Sequence, residues 1–117
     1  MNKSYLYDPH NPELIELAIQ EMPCDQTTDS LSQFFKVMGD VTRLKLLMAL
    51  EKGELCASDL SNVVGLNRSA ISHQLKALKT AKLVKSRKEG KTVYYSLDDE
   101  HIHSVLKVSL EHILEED

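Results

Sequence analysis

Between Ser58 and Leu97 the hydrophobic pattern changes from a helical to an extended period, and this stretch constrains the fold more tightly than any other in the 117 residues. Leu60 and Val64 stand four apart, one stripe of a short helix. Gly65 follows, where a left-handed backbone is easy only without a Cβ. Ala70, Ile71, Leu75 and Leu78 then recur at i, i+1, i+5 and i+8, the inward face of a second helix that Asn67 or Ser69 can cap. A short helix, a glycine turn and a second helix with isoleucine six residues after the glycine match helix-turn-helix spacing. An ordinary helical hairpin is the alternative for this stretch taken alone.

The next residues separate the two. Leu83-Val84-Lys85-Ser86-Arg87 and Thr92-Val93-Tyr94-Tyr95-Ser96-Leu97 are β-prone runs around Glu89-Gly90, a hairpin signal. A basic-tipped hairpin directly after a helix-turn-helix is a winged helix. Elsewhere the pattern is helical. Asn11-Pro12-Glu13 reads as an N-cap, a first-position proline and a first-turn acid, and Pro23 stops that helix after Met22. Residues 24–28 read as a link. Asp29 is expected to cap a second helix with Leu31, Phe34, Phe35 and Met38 inside, closed by Gly39. Asp40 caps a third, with Leu44, Leu47 and Leu50 on one face. The expected fold is mainly α with a small β-hairpin wing: an N-terminal arm with one helix over residues 1–28, and a winged helix-turn-helix for DNA binding and dimerisation over residues 29–117.

No apolar run approaches the roughly 20 residues of a bilayer span, and no signal-peptide block opens the chain, so a membrane protein is excluded and a cytoplasmic location is expected. Two cysteines, Cys24 and Cys56, suit a reducing compartment rather than a disulfide scaffold. With no Trp and only two Phe, the core must be aliphatic.

Charge is unevenly placed. Residues 67–91 hold eight Lys and Arg against the single Glu89, a local +7 that leaves −11 for the rest of a chain whose total is −4. A compact basic segment in an acidic protein attracts a polyanion; the plainer account is a solvated helix face and a Lys-rich edge hairpin. Combined with the helix-turn-helix and wing, the pattern favours double-stranded DNA over a protein partner. Ser69, Ser72 and His73 are the candidates for base-edge contacts, and Arg68, Lys76, Arg87, Lys88 and Lys91 for phosphates.

The last helix carries a second pattern. His101, Val105, Val108, His112 and Glu115 form one stripe, apolar in the middle with metal-type ligands at its ends. His101 and His112 point within about 20° of each other but lie about 16 Å apart along the axis. Ligand atoms stand about 2.0–2.2 Å from a zinc ion, so the two histidines cannot share a metal within one chain. An antiparallel copy of the helix places His101 opposite the other copy's His112, and Asp99 and Glu115 complete the set. Two imidazoles and two carboxylates suit Zn(II) or Co(II), and thiophilic Cd(II) less well. The same residues also suit a solvated terminal helix with an acidic N-cap. His103 points about 200° away from His101, toward the surface.

The runs Gly53-Glu54-Leu55-Cys56-Ala57-Ser58-Asp59-Leu60, Ser69-Ala70-Ile71-Ser72-His73-Gln74-Leu75 and Val93-Tyr94-Tyr95-Ser96-Leu97-Asp98-Asp99 resemble the ArsR/SmtB family of metal-sensing winged-helix repressors. The pattern Asp99-x-His101 … His112-x-x-Glu115 is similar to that family's intersubunit zinc site. The resemblance implies a homodimeric repressor that binds an inverted-repeat operator and is released by Zn(II), with His112 tied to backbone near Lys82 when metal binds. It also implies a second, thiolate-rich site, for which Cys24, Cys56 and Asp59 are the available residues. Ser58 stands where cadmium and lead sensors of the family carry another cysteine, and His10 could join only by a long reach. The competing reading is a winged-helix regulator that is metal-independent or answers thiol redox change. An enzyme is not expected: four protein ligands leave a metal no open position for water, and no nucleophile–base pair stands nearby.

Overall fold

The computed structural model describes residues 5–115. The chain divides into two compact units between Leu31 and Ser32. The first contains helix α1 (Pro12–Glu21) and the start of α2 (Asp25–Met38). α1 opens as the sequence predicts, with the Asn11 side chain accepting the Leu14 N–H and Pro12 at the first helical position. It buries nothing, and Leu14, Leu17 and Ile19 are about half exposed.

The second helix starts earlier than the expected Asp29 cap. α2 begins at Asp25, and the Cys24 carbonyl accepts the Thr28 N–H. Gln26, Thr27 and Thr28 carry no Gly or Pro to break the turn that Pro23 permits, so the helix runs through the expected link. Of its four predicted core residues Met38 is buried and Phe34 half-buried, whereas Leu31 and Phe35 are each 51% exposed.

The second unit holds the remaining elements: α3 (Val41–Leu50), β1 (Leu55–Cys56), α4 (Ala57–Val64), α5 (Arg68–Thr80), β2 (Val84–Glu89), β3 (Thr92–Leu97) and α6 (Glu100–Leu114). Asp40 caps α3 by accepting the Arg43 N–H, and Asn67 rather than Ser69 caps α5 by accepting the Ala70 N–H at 2.8 Å. Gly65 ends α4 at φ +82°, the left-handed turn expected there. The core is aliphatic. Leu46, Leu47, Leu60, Ile71, Leu75, Leu78 and Leu83 are fully buried, each such side chain contributing about 1.5–3 kcal/mol over its exposed state. Val84, Leu97, Ile102 and Leu106 join them and seat the hairpin and α6 on the helices.

The hairpin is the expected wing, and it belongs to a three-stranded antiparallel sheet in the order β1-β3-β2. Arg87 pairs with Tyr94, and Cys56 of the unpredicted strand β1 pairs with Tyr94 from the other side. The architecture is a winged helix-turn-helix, mainly helical with a small β wing.

Candidate DNA-binding face and metal half-sites

The buried stripe of α5 decides which of its side chains are free. Ile71, Leu75 and Leu78 pack inward, leaving Arg68, Ser69, Ser72, His73 and Lys76 exposed on the opposite face. Arg68 and Ser72 border a cleft of about 410 Å³ lined also by Ser58 at the start of α4 and by Lys91 at the wing. On the other flank His73 and Lys76 border a shallow groove with Arg43 and Thr80. The helix thus presents polar groups outward between two concave, partly basic edges. Lys88 and Lys91 are exposed on the hairpin.

Three contacts that hold this face had no local signal in the sequence. Arg43 donates to Gln74 at 2.7 Å and to the Val37 carbonyl at 3.4 Å, bracing α5 against α3 and the end of α2. Lys79 donates to Ser86 at 2.7 Å, tying α5 to β2. Arg87, predicted with the phosphate contacts, is engaged by Glu54 and Glu89 at 2.8–3.0 Å.

On α6 the predicted ligands stand in two pairs. Asp99 is the N-cap: its Oδ1 accepts the N–H groups of His101 and Ile102, and its Oδ2 lies 3.3 Å from His101 Nδ1. At the other end His112 Nδ1 lies 3.8 Å from Glu115 Oε2. Two ligand atoms on one tetrahedral zinc stand about 3.3–3.6 Å apart, from bond lengths of about 2.0–2.2 Å. The Asp99–His101 hydrogen bond falls within that range, and the His112–Glu115 pair lies just beyond it. Burial raises the Asp99 pKa, but hydrogen bonds from the His101 ring and the Ile102 and His101 N–H groups outweigh it and hold the carboxyl below its usual range. Both imidazoles face solvent, with side chains 92% and 81% exposed. Among the described residues no three His, Cys, Asp or Glu gather closely enough to hold a metal ion. Between the pairs Val108 is 63% exposed, whereas Val105, expected in the same apolar seam, is half-buried against the chain's own core.

Of the thiolate candidates, Cys24 belongs to the first unit and Cys56 and Asp59 to the second. Cys24 is exposed, and the Thr27 hydroxyl 3.3 Å from its sulfur holds the thiol below its usual pKa. Cys56 is half-buried in β1, and the Asp59 carboxylate accepts its N–H at 3.4 Å at the start of α4. His103 is half-buried at a groove with Glu51, Lys107 and Leu110. No helix among the described residues is long and apolar enough to cross a membrane.

Residues 40–86 match the sequence profile described as "Bacterial regulatory protein, arsR family". The chain is 36% identical over 108 residues to a transcriptional repressor SmtB homolog of Synechocystis sp., covering 92% of this chain and 81% of that one. It is 40% identical over 88 residues to a cadmium resistance transcriptional regulatory protein CadC homolog of Staphylococcus aureus, covering 74% and 73%. Among solved structures it is similar to a homodimeric winged helix-turn-helix DNA-binding domain from Mycobacterium bovis, at TM-score 0.68 and 25% identity, covering 83% and 99%.

Proposed function

This chain belongs to the ArsR family of bacterial regulatory proteins, DNA-binding transcription regulators rather than enzymes, and from that membership we propose a homodimeric repressor that leaves its operator when Zn(II) is bound between two copies of α6. The observation that carries the reading is the pair of half-sites on one helix. Asp99 with His101 at 3.3 Å and His112 with Glu115 at 3.8 Å are each an exposed acid–imidazole pair, and neither has a further ligand gathered around it among the described residues. A second, antiparallel copy of α6 supplies the missing half to each.

The donor set is two imidazoles and two carboxylates, which favours Zn(II), accommodates Co(II) and suits Cd(II) less well. Asp99, His101, His112 and Glu115 would hold the ion, which would supply positive charge bridging the two helices. The chain's own residues do the rest. Asp99 holds the α6 N-terminus with one oxygen, and the other, which faces the His101 ring at 3.3 Å, would turn to the ion. Exposed Val108, Ile113 and Leu114 supply apolar surface to the seam between helices. In the metal-free dimer two α5 helices enter successive major grooves of an imperfect inverted repeat, with Ser69, Ser72 and His73 toward base edges. Arg68, Lys76, Lys88 and Lys91 neutralise phosphates. His112 hydrogen-bonds backbone near Lys82, at the end of α5, when the site fills, and so passes occupancy to the DNA-binding face. Linkage makes the effect reciprocal: zinc weakens DNA binding by the factor by which DNA weakens zinc binding, typically about 1–3 kcal/mol.

The test is an operator titration of the intact dimer at fixed salt, with and without Zn(II). Release by zinc in the parent, and none in a His101→Ala/His112→Ala variant that still binds DNA, is expected. Zinc-insensitive binding by the parent contradicts the metal reading and leaves a DNA-binding regulator. Cys24, Cys56 and Asp59 remain the residues for a softer metal at a second site.

A further inference from the structure

Arg87 sits in the basic segment, yet carboxylates and an aromatic ring hold its guanidinium. Its Nε lies 2.8 and 3.0 Å from the two Glu54 oxygens, and its Nη1 lies 2.9 Å from Glu89 Oε2. The guanidinium carbon stands 4.9 Å from the centroid of the Tyr94 ring. Two acids share this one cation, so its N–H groups and charge are already engaged within the protein.

The topology gives these contacts a mechanical meaning. Arg87 is on the outer strand β2 and Tyr94 opposite it on the central strand β3; Glu54 immediately precedes β1 on the far side. The side chain therefore crosses the central strand and joins the two outer edges of the sheet. β1 pairs with β3 only at Leu55–Tyr95 and Cys56–Tyr94, so the part of the hairpin carrying Lys88 and Lys91 extends past the pairing that anchors β3. A two-stranded ribbon is marginal by itself. A planar guanidinium that shares its Nε–H between the two Glu54 oxygens and gives an Nη1–H to Glu89 while lying over a ring is a tie lysine cannot reproduce.

We propose that Arg87 is a positioning residue that straps the wing to Glu54 across the sheet, setting how Lys88 and Lys91 meet the DNA backbone, and that it does not hold a phosphate itself. This rests on DNA binding through α5 and the wing. It replaces the phosphate role that the sequence pattern suggested for Arg87. An isolated exposed ion pair contributes little, but a cation shared by two acids and laid over a ring is a network and falls outside that rule.

The sign of one substitution separates strap from contact. Glu54→Gln removes a negative charge beside the wing, so simple electrostatics makes it bind DNA more tightly, whereas loss of the strap makes it bind more weakly. The experiment measures affinity of the full-length dimer, by fluorescence anisotropy over a range of salt, for a duplex selected from a random-sequence pool by the same protein. Glu54→Gln, Arg87→Ala and Arg87→Lys are each expected to weaken binding about fivefold, the scale of about 1 kcal/mol, with the salt slope of the parent. Lys91→Ala is the reference for a phosphate contact and should lower that slope by about 1. Thermal unfolding of each variant accompanies the titrations, and Glu54→Asp, which keeps the charge but shortens the reach, must also weaken binding. Tighter or unchanged binding by Glu54→Gln overturns the strap. So does Arg87→Ala with a slope lowered by about 1 while Arg87→Lys retains parental affinity. A parent that binds no duplex overturns the DNA-binding reading as well, an outcome distinct from either.

Discussion

Asp99 divides its carboxylate between two tasks at His101: Oδ1 accepts the His101 backbone N–H at 2.9 Å, while Oδ2 faces the His101 ring nitrogen at 3.3 Å. In the proposed site the cap is also a ligand, and substitution can separate the two roles. Asp99→Asn keeps an N-cap acceptor and should hold metal-free stability within a few tenths of a kcal/mol, while zinc affinity falls. Asp99→Ala should lose about 1 kcal/mol as well as the zinc affinity. Urea unfolding in chelator and zinc titration of both variants check this; equal zinc affinity in Asp99→Asn and the parent removes Asp99 from the site.

The same carboxyl fixes a pH dependence. Its pKa is lowered in the folded chain, so its stabilising effect is fully present above the ordinary carboxylate range and is lost as the pH falls through the depressed folded value. The metal-free parent should therefore lose stability relative to Asp99→Asn as the pH drops below about 4. Urea midpoints for the two proteins between about pH 6 and about pH 3 test it; parallel curves contradict it.

Lys82 closes α5 with φ +62°, the only non-glycine residue among those described in the left-handed region. The Leu83 N–H returns to the Leu78 carbonyl at 2.9 Å, the helix-ending pattern that glycine usually fills. Lys82→Gly relieves the Cβ strain, and after the greater freedom of glycine in the unfolded chain it should stabilise by about 0.5–1 kcal/mol. A shift of the urea midpoint to lower concentration contradicts this.

Legibility followed the range of the interactions. Ile71, Leu75 and Leu78 announce α5 because a helix buries one face at a fixed spacing, and all three are fully buried. The wing was readable from two β-prone runs about a Gly turn. β1 was not: Leu55–Cys56 is extended because Tyr94 and Tyr95 pair with it some 39 residues on, and two residues carry no period. The Glu54–Arg87 tie, 33 residues apart, and the Arg43–Gln74 brace, 31 apart, were invisible for the same reason. Leu31 and Phe35 have helix-core spacing but remain half exposed, because periodicity reports that a face is apolar and not which surface covers it. The proposed metal ligands were legible as a pattern, and as one pair at each end of the last helix, because a helix turns their spacing into direction; the structure adds the distances within each pair.

The thiols allow an independent check on the donor set. A site of imidazoles and carboxylates needs neither Cys24 nor Cys56, so Cys24→Ser/Cys56→Ser should retain parental zinc affinity and zinc-driven operator release. Loss of the zinc response in that variant would move the sensing site to the thiolates.

Subunit complementation tests the shared site most directly. His101→Ala and His112→Ala chains, each prepared alone, should have no tight zinc site, because every site in either homodimer lacks one imidazole. Mixed under exchanging conditions, they form a heterodimer in which one site regains both histidines and the other loses both. The account predicts one tight zinc per heterodimer, measured on tagged, isolated heterodimer. No recovery of binding on mixing, or undiminished zinc binding in either single variant, would contradict it.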